Sequence, residues 1–272
     1  MRFGTTVRNM GIAASTDCIS HCARYAEQIG LDSVWVVDHI AIPPDDAEGS
    51  DGRWFDPLAT LSYLAAITSR VQLGVSVLVL PYRPPLPTAK WIATIQELSK
   101  HRLHLGVGPG WMEAEYKALG IKKSERGIKT DQCLDFIRHC FDAENDIATS
   151  NGQEFLFRPR PPRPRIYVGG MTDRALERVI RGADAWLPMG IDPEKLAPRI
   201  EALKSKAEAA GRKCPDIVTI GSLPDDQRLA IDQLGSCEAL GVSQYIQSSR
   251  YSCESEFEQK MARVLDLKQQ LS

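Results

Sequence analysis

The chain has 272 residues, of which 43% are hydrophobic and 25% are charged, a composition typical of a globular protein with one or two domains. Its 33 basic and 35 acidic residues give a net charge of −2, which disfavours nucleic acid or an anionic membrane surface as the main partner. No apolar run approaches the roughly 18 residues of a membrane-spanning helix, and the opening MRFGTTV predicts a strand, not a signal peptide.

The first part of the sequence alternates between strand-like and helix-like segments. Short β-rich apolar runs predict strands, and apolar residues recurring at i, i+3 and i+4 predict amphipathic helices between them. The predicted strands are Arg2–Thr6, Ser33–Asp38, Val71–Val79 and Leu103–Val107, and the predicted helices are Thr16–Gly30, Pro57–Ser69 and Pro87–Ser99.

The alternation loosens after Trp111 and resumes near residue 166. Glu113–Gly127 predicts an insertion with short helical pieces, Lys129–Ala143 a helix, and Asn151-Gly152 a hairpin turn with Gln153–Phe157 as one arm. The proline-rich Arg158–Arg165 predicts an irregular connector. Beyond it, strands are predicted at Ile166–Val168, Ala185–Pro188, Ile217–Gly221 and Ser243–Gln247, and helices at Asp173–Gly182, Asp192–Ala210, Asp225–Leu240 and Glu254–Leu271.

Roughly eight strand–helix units predict an α/β fold. The expected architecture is a single TIM-like (β/α)8 barrel with a short insertion after strand four, in one domain that spans residues 1–272. An open doubly wound sheet is the alternative. Because active sites of such barrels lie at the carboxyl ends of the strands, the residues there are the candidates for chemistry.

Asp38 and His39 follow the second predicted strand. An imidazole beside a carboxylate can be held in one tautomer and can donate a proton or polarise a substrate. The competing interpretation is a surface histidine beside a capping aspartate. Ser76, a small polar residue in the apolar third strand, is consistent with close approach of a ligand, and equally with a hydroxyl that bonds neighbouring backbone.

Glycines follow the fourth and fifth strands. The G-x-G-x-G spacing of Gly106–Gly110 and the missing acidic partner argue against a dinucleotide-binding motif. Gly169 and Gly170 lead through Thr172 and Asp173 into a helix. Free N–H groups and the helix dipole at that point favour a phosphate, and a capped turn is compatible with the same residues.

The seven cysteines are irregularly spaced, which predicts reduced thiols in a cytoplasmic protein. Cys18, His21 and Cys22 share one helix face and could in principle bind zinc. No further ligand pair with a recognisable spacing accompanies them, so no metal is expected.

Four stretches of sequence together resemble the bacterial luciferase-like monooxygenase superfamily, which also contains dehydrogenases and reductases that use the deazaflavin coenzyme F420. They follow the family's order and cover most of the chain to about Pro198. The matching motifs are GLDSVWVVDH at Gly30–His39, LGVSVLVLP at Leu73–Pro81, LSKHRLHLGVGPGW at Leu98–Trp111, and PRIYVGG with ADAWLP at Pro164–Gly170 and Ala183–Pro188.

The resemblance implies a barrel that binds a flavin-type ring, of FMN or coenzyme F420, at the carboxyl ends of its strands. It implies a catalytic His39 that donates a proton and, with Asp38, contacts the cofactor. Ser76 and Val77 match a bulged strand that backs the ring, often through a cis peptide bond. The other implied cofactor contacts are Pro109, Gly110, Gly169, Gly170, Thr172 and Asp173.

Trp111 stands where sugar-phosphate dehydrogenases of the family carry a catalytic glutamate. Oxidation of a sugar phosphate by that mechanism is therefore not expected. Trp111 instead predicts a wall of a pocket for a small apolar organic substrate. The expected activity is that of a flavin-type oxidoreductase, either a monooxygenase or a reductase.

Two other functions stay open at this point. One is a non-catalytic flavin-binding protein on the same barrel. The other, an aldolase or a metal-dependent hydrolase, is disfavoured because no lysine ends Ala185–Pro188 and no His-x-His ends the first strand. The expected partners are the cofactor and a small-molecule substrate, with neither nucleic acid nor membrane, and the resembled family often forms homodimers.

Overall fold

Parallel strands form a closed ring at the centre of the molecule. The computed structural model describes residues 1–271, and within them eight strands make up this ring. In ring order they are β1 (Arg2–Thr6), β2 (Ser33–Val36), β3 (Gln72–Val79), β4 (Leu103–Gly108), β7 (Arg165–Gly169), β8 (Ala185–Leu187), β9 (Asp216–Gly221) and β10 (Val242–Gln247). The predicted TIM-like barrel is confirmed, and the alternative of an open doubly wound sheet is excluded.

Helices follow the strands as predicted, and their observed ends differ from the predicted ones by a few residues. The helices are α1 (Thr16–Gln28), α2 (Pro57–Ile67), α3 (Pro85–Leu98), α4 (Glu113–Ala118), α5 (Arg126–Asp142), α6 (Asp173–Ile180), α7 (Pro193–Ala209), α8 (Gln227–Ala239) and α9 (Glu254–Gln270).

Local side-chain chemistry explains where several helices begin. Pro57 occupies the first turn of α2, and the carboxylate of Asp56 accepts the N–H groups of Leu58 and Ala59 at 2.8 and 3.1 Å. The hydroxyl of Thr172 accepts the N–H of Ala175 at the start of α6. These caps satisfy backbone donors that lack partners inside the helix.

The insertion after β4 contains α4, the 3-10 turn Lys123–Glu125, α5 and an antiparallel hairpin. The hairpin strands are β5 (Ile147–Ser150) and β6 (Gln153–Leu156), which confirms the predicted arm. Asn151 and Gly152 have φ angles of 49° and 79°, as a tight two-residue hairpin turn requires.

The barrel interior has a core of its own, separate from the layer between strands and helices. Trp35, Tyr167 and Ile246 fill this interior. Gly74 makes room for Trp35, because a Cβ at that position would lie 2.2 Å from the indole ring. The Nε1 of Trp35 donates to the hydroxyl of Ser33 at 2.7 Å, so the indole polar atom is satisfied despite its burial.

Within the described residues, no helix is long and apolar enough to cross a membrane. Nε2 of His21 lies within hydrogen-bond distance of Oε1 of Glu258, at 2.7 Å, and the sulfur atoms of Cys18 and Cys22 lie 3.9 Å apart. Across residues 1–271, no group of three or more histidine, cysteine, aspartate or glutamate side chains is arranged to hold a metal ion.

Candidate active site

A hydrogen-bonded pair, His39 and Glu115, lies at the carboxyl end of the barrel. Glu115 belongs to α4 and is completely buried. Its Oε2 lies 3.0 Å from Nδ1 of His39 and accepts the hydroxyl of Tyr82 at 2.7 Å. Its Oε1 accepts the N–H groups of Ile40 and Ala41 at 2.5 and 3.1 Å. One carboxylate therefore fixes both the loop after β2 and the imidazole ring.

The protonation state of Glu115 follows from these donors. Burial alone would raise the pKa of its carboxyl group, but the hydrogen bonds from His39, Ile40, Tyr82 and Ala41 outweigh burial and lower the pKa to about 2. An ionised carboxylate beside Nδ1 places the proton of a neutral imidazole on that nitrogen. Nε2 makes no hydrogen bond to the described part of the chain, so it is the ring nitrogen free to exchange a proton with a ligand.

Two tryptophans contact the imidazole. The ring centroids of Trp54 and His39 are 4.6 Å apart, and those of Trp111 and His39 are 6.0 Å apart in an edge-on arrangement. Trp111 is 67% exposed, whereas Nε1 of Trp54 is buried without a hydrogen-bond partner. Such an unpaired buried donor is costly unless a ligand or a water accepts from it.

The side chain of Asp38 is fully engaged by protein donors. It is 4% exposed. Arg83 donates to both carboxylate oxygens at 2.7 and 2.8 Å, and the N–H of Val79 donates at 2.8 Å. Burial raises the pKa of Asp38, and the contacts with Arg83 act in the opposite direction. Because Asp38 follows β2 and accepts the N–H of Val79, it ties the ends of β2 and β3 together. Arg83 also contacts Asp56 at 2.7 Å. Direct contact of Asp38 with a cofactor stays a prediction.

β3 is bulged at Ser76 and Val77. The peptide bond between them is cis, as the family resemblance implied, and the pairing register with β4 shifts beside it. The hydroxyl of Ser76 is buried without a partner. Val77 lies against Gly108 and Gly169, where an added Cβ would approach its side chain to 2.7 and 2.8 Å. The two glycines thus leave room for the side chain of Val77.

Pro109 and Gly110 form the loop that follows β4. The hydroxyl of Tyr116 donates to the carbonyl oxygen of Pro109. Gly110 has a φ of 70°, and a Cβ there would lie 2.6 Å from the side chain of Val79. The loop therefore packs closely on the end of β3.

The loop after β7 leads into α6. The carbonyl oxygen of Gly170 accepts Nε1 of Trp186 at 2.7 Å, and Thr172 caps the helix. Asp173 is exposed and forms an ion pair with Arg199 at 3.1 Å. The Arg199 guanidinium offsets the carboxylate charge beside the helix N-terminus, where an anion would be favoured.

The predicted site residues come from four strands that are consecutive in the ring. His39 follows β2, Val77 lies on β3, Gly110 follows β4 and Gly169 ends β7. All strands of the ring are parallel, so these residues lie at one end of the barrel. They occupy one half of its mouth, from β2 to β7.

Sequence reasoning missed four side chains of this site: Trp54, Tyr82, Arg83 and Glu115. The run of acidic residues at the start of α4 was visible in the sequence. However, Glu113 and Glu115 have the same chemistry, and only burial distinguishes them, since Glu115 is completely buried and Glu113 is exposed.

A sequence family and several curated relatives match most of the chain. A sequence family described as luciferase-like monooxygenase matches residues 2–224. An uncharacterized protein of Mycobacterium tuberculosis is 31% identical over 242 residues, which cover 82% of each chain. A phthiodiolone/phenolphthiodiolone dimycocerosates ketoreductase of Mycobacterium bovis is 29% identical over 210 residues, or 69% of this chain and 55% of the ketoreductase.

Solved structures share the fold at low sequence identity. A monooxygenase of Streptomyces bottropensis has a TM-score of 0.80 at 19% identity, covering 98% of both chains. An F420-dependent secondary alcohol dehydrogenase, solved with an F420-acetone adduct, has a TM-score of 0.75 at 16% identity and covers 91% of this chain and 92% of its own. The oxygenating constituent of 3,6-diketocamphane monooxygenase of Pseudomonas putida, solved with FMN, has a TM-score of 0.66 at 16% identity, covering 88% and 74%.

Proposed function

The chain belongs to the luciferase-like monooxygenase family, and on this premise we propose that it is an oxidoreductase that uses FMN or coenzyme F420 to transform a small organic substrate. The observation that carries the proposal is the pair of His39 and Glu115 at 3.0 Å, in a mouth whose other polar atoms include buried groups without partners. We also propose that residues 1–272 form one domain, since β10, which closes the ring, lies beyond the matched region.

The residues of this half of the mouth fit a flat ring with a phosphate tail. The partly exposed side chain of Val77, packed against Gly108 and Gly169, would back a planar ligand, and the unpartnered Ser76 hydroxyl would supply a hydrogen-bonding group next to it. Backbone N–H groups at Gly170 and the start of α6, together with Thr172, would hold the phosphate. The bound cofactor would supply the hydride or oxygen chemistry.

The protein side of the reaction falls to His39. With Glu115 holding Nδ1, the imidazole can deliver or accept a proton at Nε2 without reorienting. Trp54 and Trp111 would form the apolar wall against which the substrate lies and would limit access of water to the imidazole. Trp54 Nε1 would donate to a polar atom of the substrate or cofactor, which resolves its lack of a partner.

Titration of the purified protein with FMN and, separately, with F420 tests this proposal. We expect saturable binding of one cofactor, measured by the change in its absorbance or fluorescence. Failure of both to bind would refute the proposal. If a cofactor instead binds without any catalysis, its reduced form will be oxidised no faster than in free solution, whichever substrate class is offered. That outcome would favour a non-catalytic flavin-binding protein.

A further inference from the structure

Arg8, two residues beyond the end of β1, carries a buried positive charge without a counter-ion. It is 9% exposed. Its Nη2 donates to the carbonyl oxygen of Gly49 at 3.1 Å, and its Nε has no hydrogen-bond partner. Within residues 1–271, no carboxylate forms an ion pair with Arg8. Guanidinium groups are rarely buried in this way unless an anion pairs with them.

Two other arginines of similar burial show how this chain normally satisfies such a group. Arg102 is 7% exposed, and its guanidinium makes five hydrogen bonds to carbonyl and hydroxyl oxygens. Arg178 is 8% exposed and is paired with Asp131 at 2.7 Å. Arg8 has neither arrangement. Other arginines of the described chain also have buried donors without a hydrogen bond, but each of them is paired with an aspartate, whereas Arg8 is not.

A second arginine lies close to Arg8. The hydroxyl of Tyr251 accepts the N–H of Arg8 at 2.8 Å, and Arg250 directly precedes Tyr251 in the loop after β10. Burial lowers the pKa of Arg8, the interaction with Tyr251 acts in the opposite direction, and the charge of Arg250 is a smaller lowering effect. Arg250 is exposed and makes no ion pair within the described chain. Arg8 and Arg250 thus place two positive charges on the same side of the barrel mouth, and no carboxylate of the described chain pairs with either of them. Such a region favours an anion.

The surface next to Arg250 extends this positive region. A cleft of about 400 Å³ opens between the loops after β9 and β10 and the helix α9. Its lining contains the cations Arg250, Lys260 and Arg263, against a single carboxylate, Asp225. The hydroxyls of Ser248 and Ser249 belong to the same lining. An anionic ligand would thus be attracted to this side of the mouth from solution.

The position of Arg8 in the ring separates it from the proposed cofactor half. β1 lies between β10 and β2, and β7, which carries Gly169, is four strands away, on the opposite side of the ring. His39 follows the neighbouring strand β2. An anion at Arg8 would therefore lie next to the strand that leads to His39 and across the ring from the proposed phosphate loop, where the tail of the cofactor would be held.

We infer that Arg8 and Arg250 bind a carboxylate or phosphate group of the substrate and so orient an amphipathic molecule whose apolar body lies against Trp54 and Trp111. This inference rests on the proposed function and names its substrate class. Arginine presents parallel donors that match both oxyanions. Binding energy from a group remote from the reacting atoms positions those atoms for reaction.

Calorimetric titration with inorganic phosphate, and in a second series with succinate, tests the anion site. We expect saturable binding to the wild-type protein, and at least tenfold weaker binding to Arg8→Gln and to Arg250→Gln. Arg228→Gln, an exposed arginine on α8, is the matched control and should bind as the wild type does. The stronger of the two series identifies phosphate or carboxylate as the substrate group.

A folding defect in Arg8→Gln would not obscure the result. Arg250 is exposed, so Arg250→Gln tests the site without disturbing a buried residue. Arg8→Lys is a further variant of the buried position, which keeps the positive charge but loses the parallel donors. Equal affinity of all variants, or no saturable binding to the wild type, would overturn the inference.

The same titration on protein loaded with the bound cofactor separates the two proposals. A substrate site is supported if the cofactor-loaded protein binds phosphate as tightly as the cofactor-free protein does, and if Arg250→Gln binds the cofactor as tightly as the wild type does. Competition between phosphate and cofactor that disappears in Arg250→Gln would assign the arginines to the cofactor tail and would overturn this inference alone. Phosphate binding that persists when neither FMN nor F420 binds would refute the proposed function and leave the anion site standing.

Discussion

Nδ1 of His39 lies 3.0 Å from Oε2 of Glu115, although 76 positions separate the two residues in the chain. The carboxylate that holds the imidazole is also the acceptor for two backbone N–H groups of the loop that carries His39. The orientation of the ring and the conformation of its loop thus depend on one buried side chain.

Replacement of His39 by alanine removes the proposed proton-exchanging nitrogen while leaving the surface at Val77 and Gly169 intact. We expect turnover to fall by about 10²–10⁴-fold, the usual contribution of a positioned acid or base, with nearly unchanged cofactor affinity. Steady-state kinetics and cofactor titration of the same preparation measure the two effects. Unchanged turnover would show that His39 has no part in the reaction.

Glu115→Gln keeps the shape of the side chain but removes its charge. The imidazole then loses the partner that selects its tautomer, and we expect turnover to drop by about 10–100-fold, the range known for partners that orient metal-binding imidazoles. The matched control is Glu113→Gln in the same helix, whose carboxylate pairs with Lys123 at 3.2 Å on the surface. Equal turnover in both variants would contradict the role of Glu115.

The free energy of unfolding should depend on pH through Glu115. Its folded pKa of about 2 lies below the ordinary value of 4.5, so its contribution is present above pH 4.5 and is lost as the pH falls through about 2. The shift corresponds to about 3 kcal/mol. Urea denaturation between pH 5 and pH 2 should show a smaller decline for Glu115→Gln than for the wild type; parallel declines would mean that Glu115 is not ionised through these contacts.

Gly169→Ala should weaken cofactor binding, because the new Cβ would lie 2.8 Å from the side chain of Val77. Overpacking of this kind typically destabilises a protein by about 1–3 kcal/mol. The double variant with Val77→Ala should recover part of the loss, since it removes the clashing methyl groups.

Gly235→Ala serves as the control for the preceding substitution. Gly235 lies inside α8, and an added Cβ would be 4.0 Å from its nearest neighbour, Leu271. Alanine should therefore raise the free energy of unfolding by about 0.5–1 kcal/mol through helix propensity. If both alanine variants bind the cofactor equally well, the ring does not lie against Val77 and Gly169.

Arg83→Gln should be strongly destabilising, because it leaves the buried carboxylate of Asp38 without its cation. Breaking a buried pair in this way costs about 3–5 kcal/mol. Asp56→Asn is the comparison: it removes the partly exposed ion pair with Arg83 but keeps the cap of α2, and it should cost less than about 1 kcal/mol. Chemical denaturation of the two variants distinguishes these values, and similar losses would argue against the buried pair as the main contact.

The strand and helix units, and the place of His39 at the end of a strand, could be predicted from the amino-acid sequence. Strand and helix periodicity are local properties, so the units Ser33–Asp38 and Thr16–Gly30 could be identified from a few neighbouring residues. Their number favoured a closed barrel, with an open doubly wound sheet as the alternative. Asp38-His39 and Gly169-Gly170 could be placed at one end of the molecule because parallel strands of a barrel share their carboxyl end.

The polar groups that meet at that end are brought together by the folded chain and could not be predicted from local sequence. Glu115 reaches His39 from the insertion after β4, Arg83 engages Asp38 from a loop, and Arg8 lies buried without a carboxylate. Such contacts join residues far apart in the chain, and burial sets their charge and their cost. The local sequence around a glutamate or an arginine predicts neither its burial nor its partner, because the same local pattern also occurs around residues exposed to solvent.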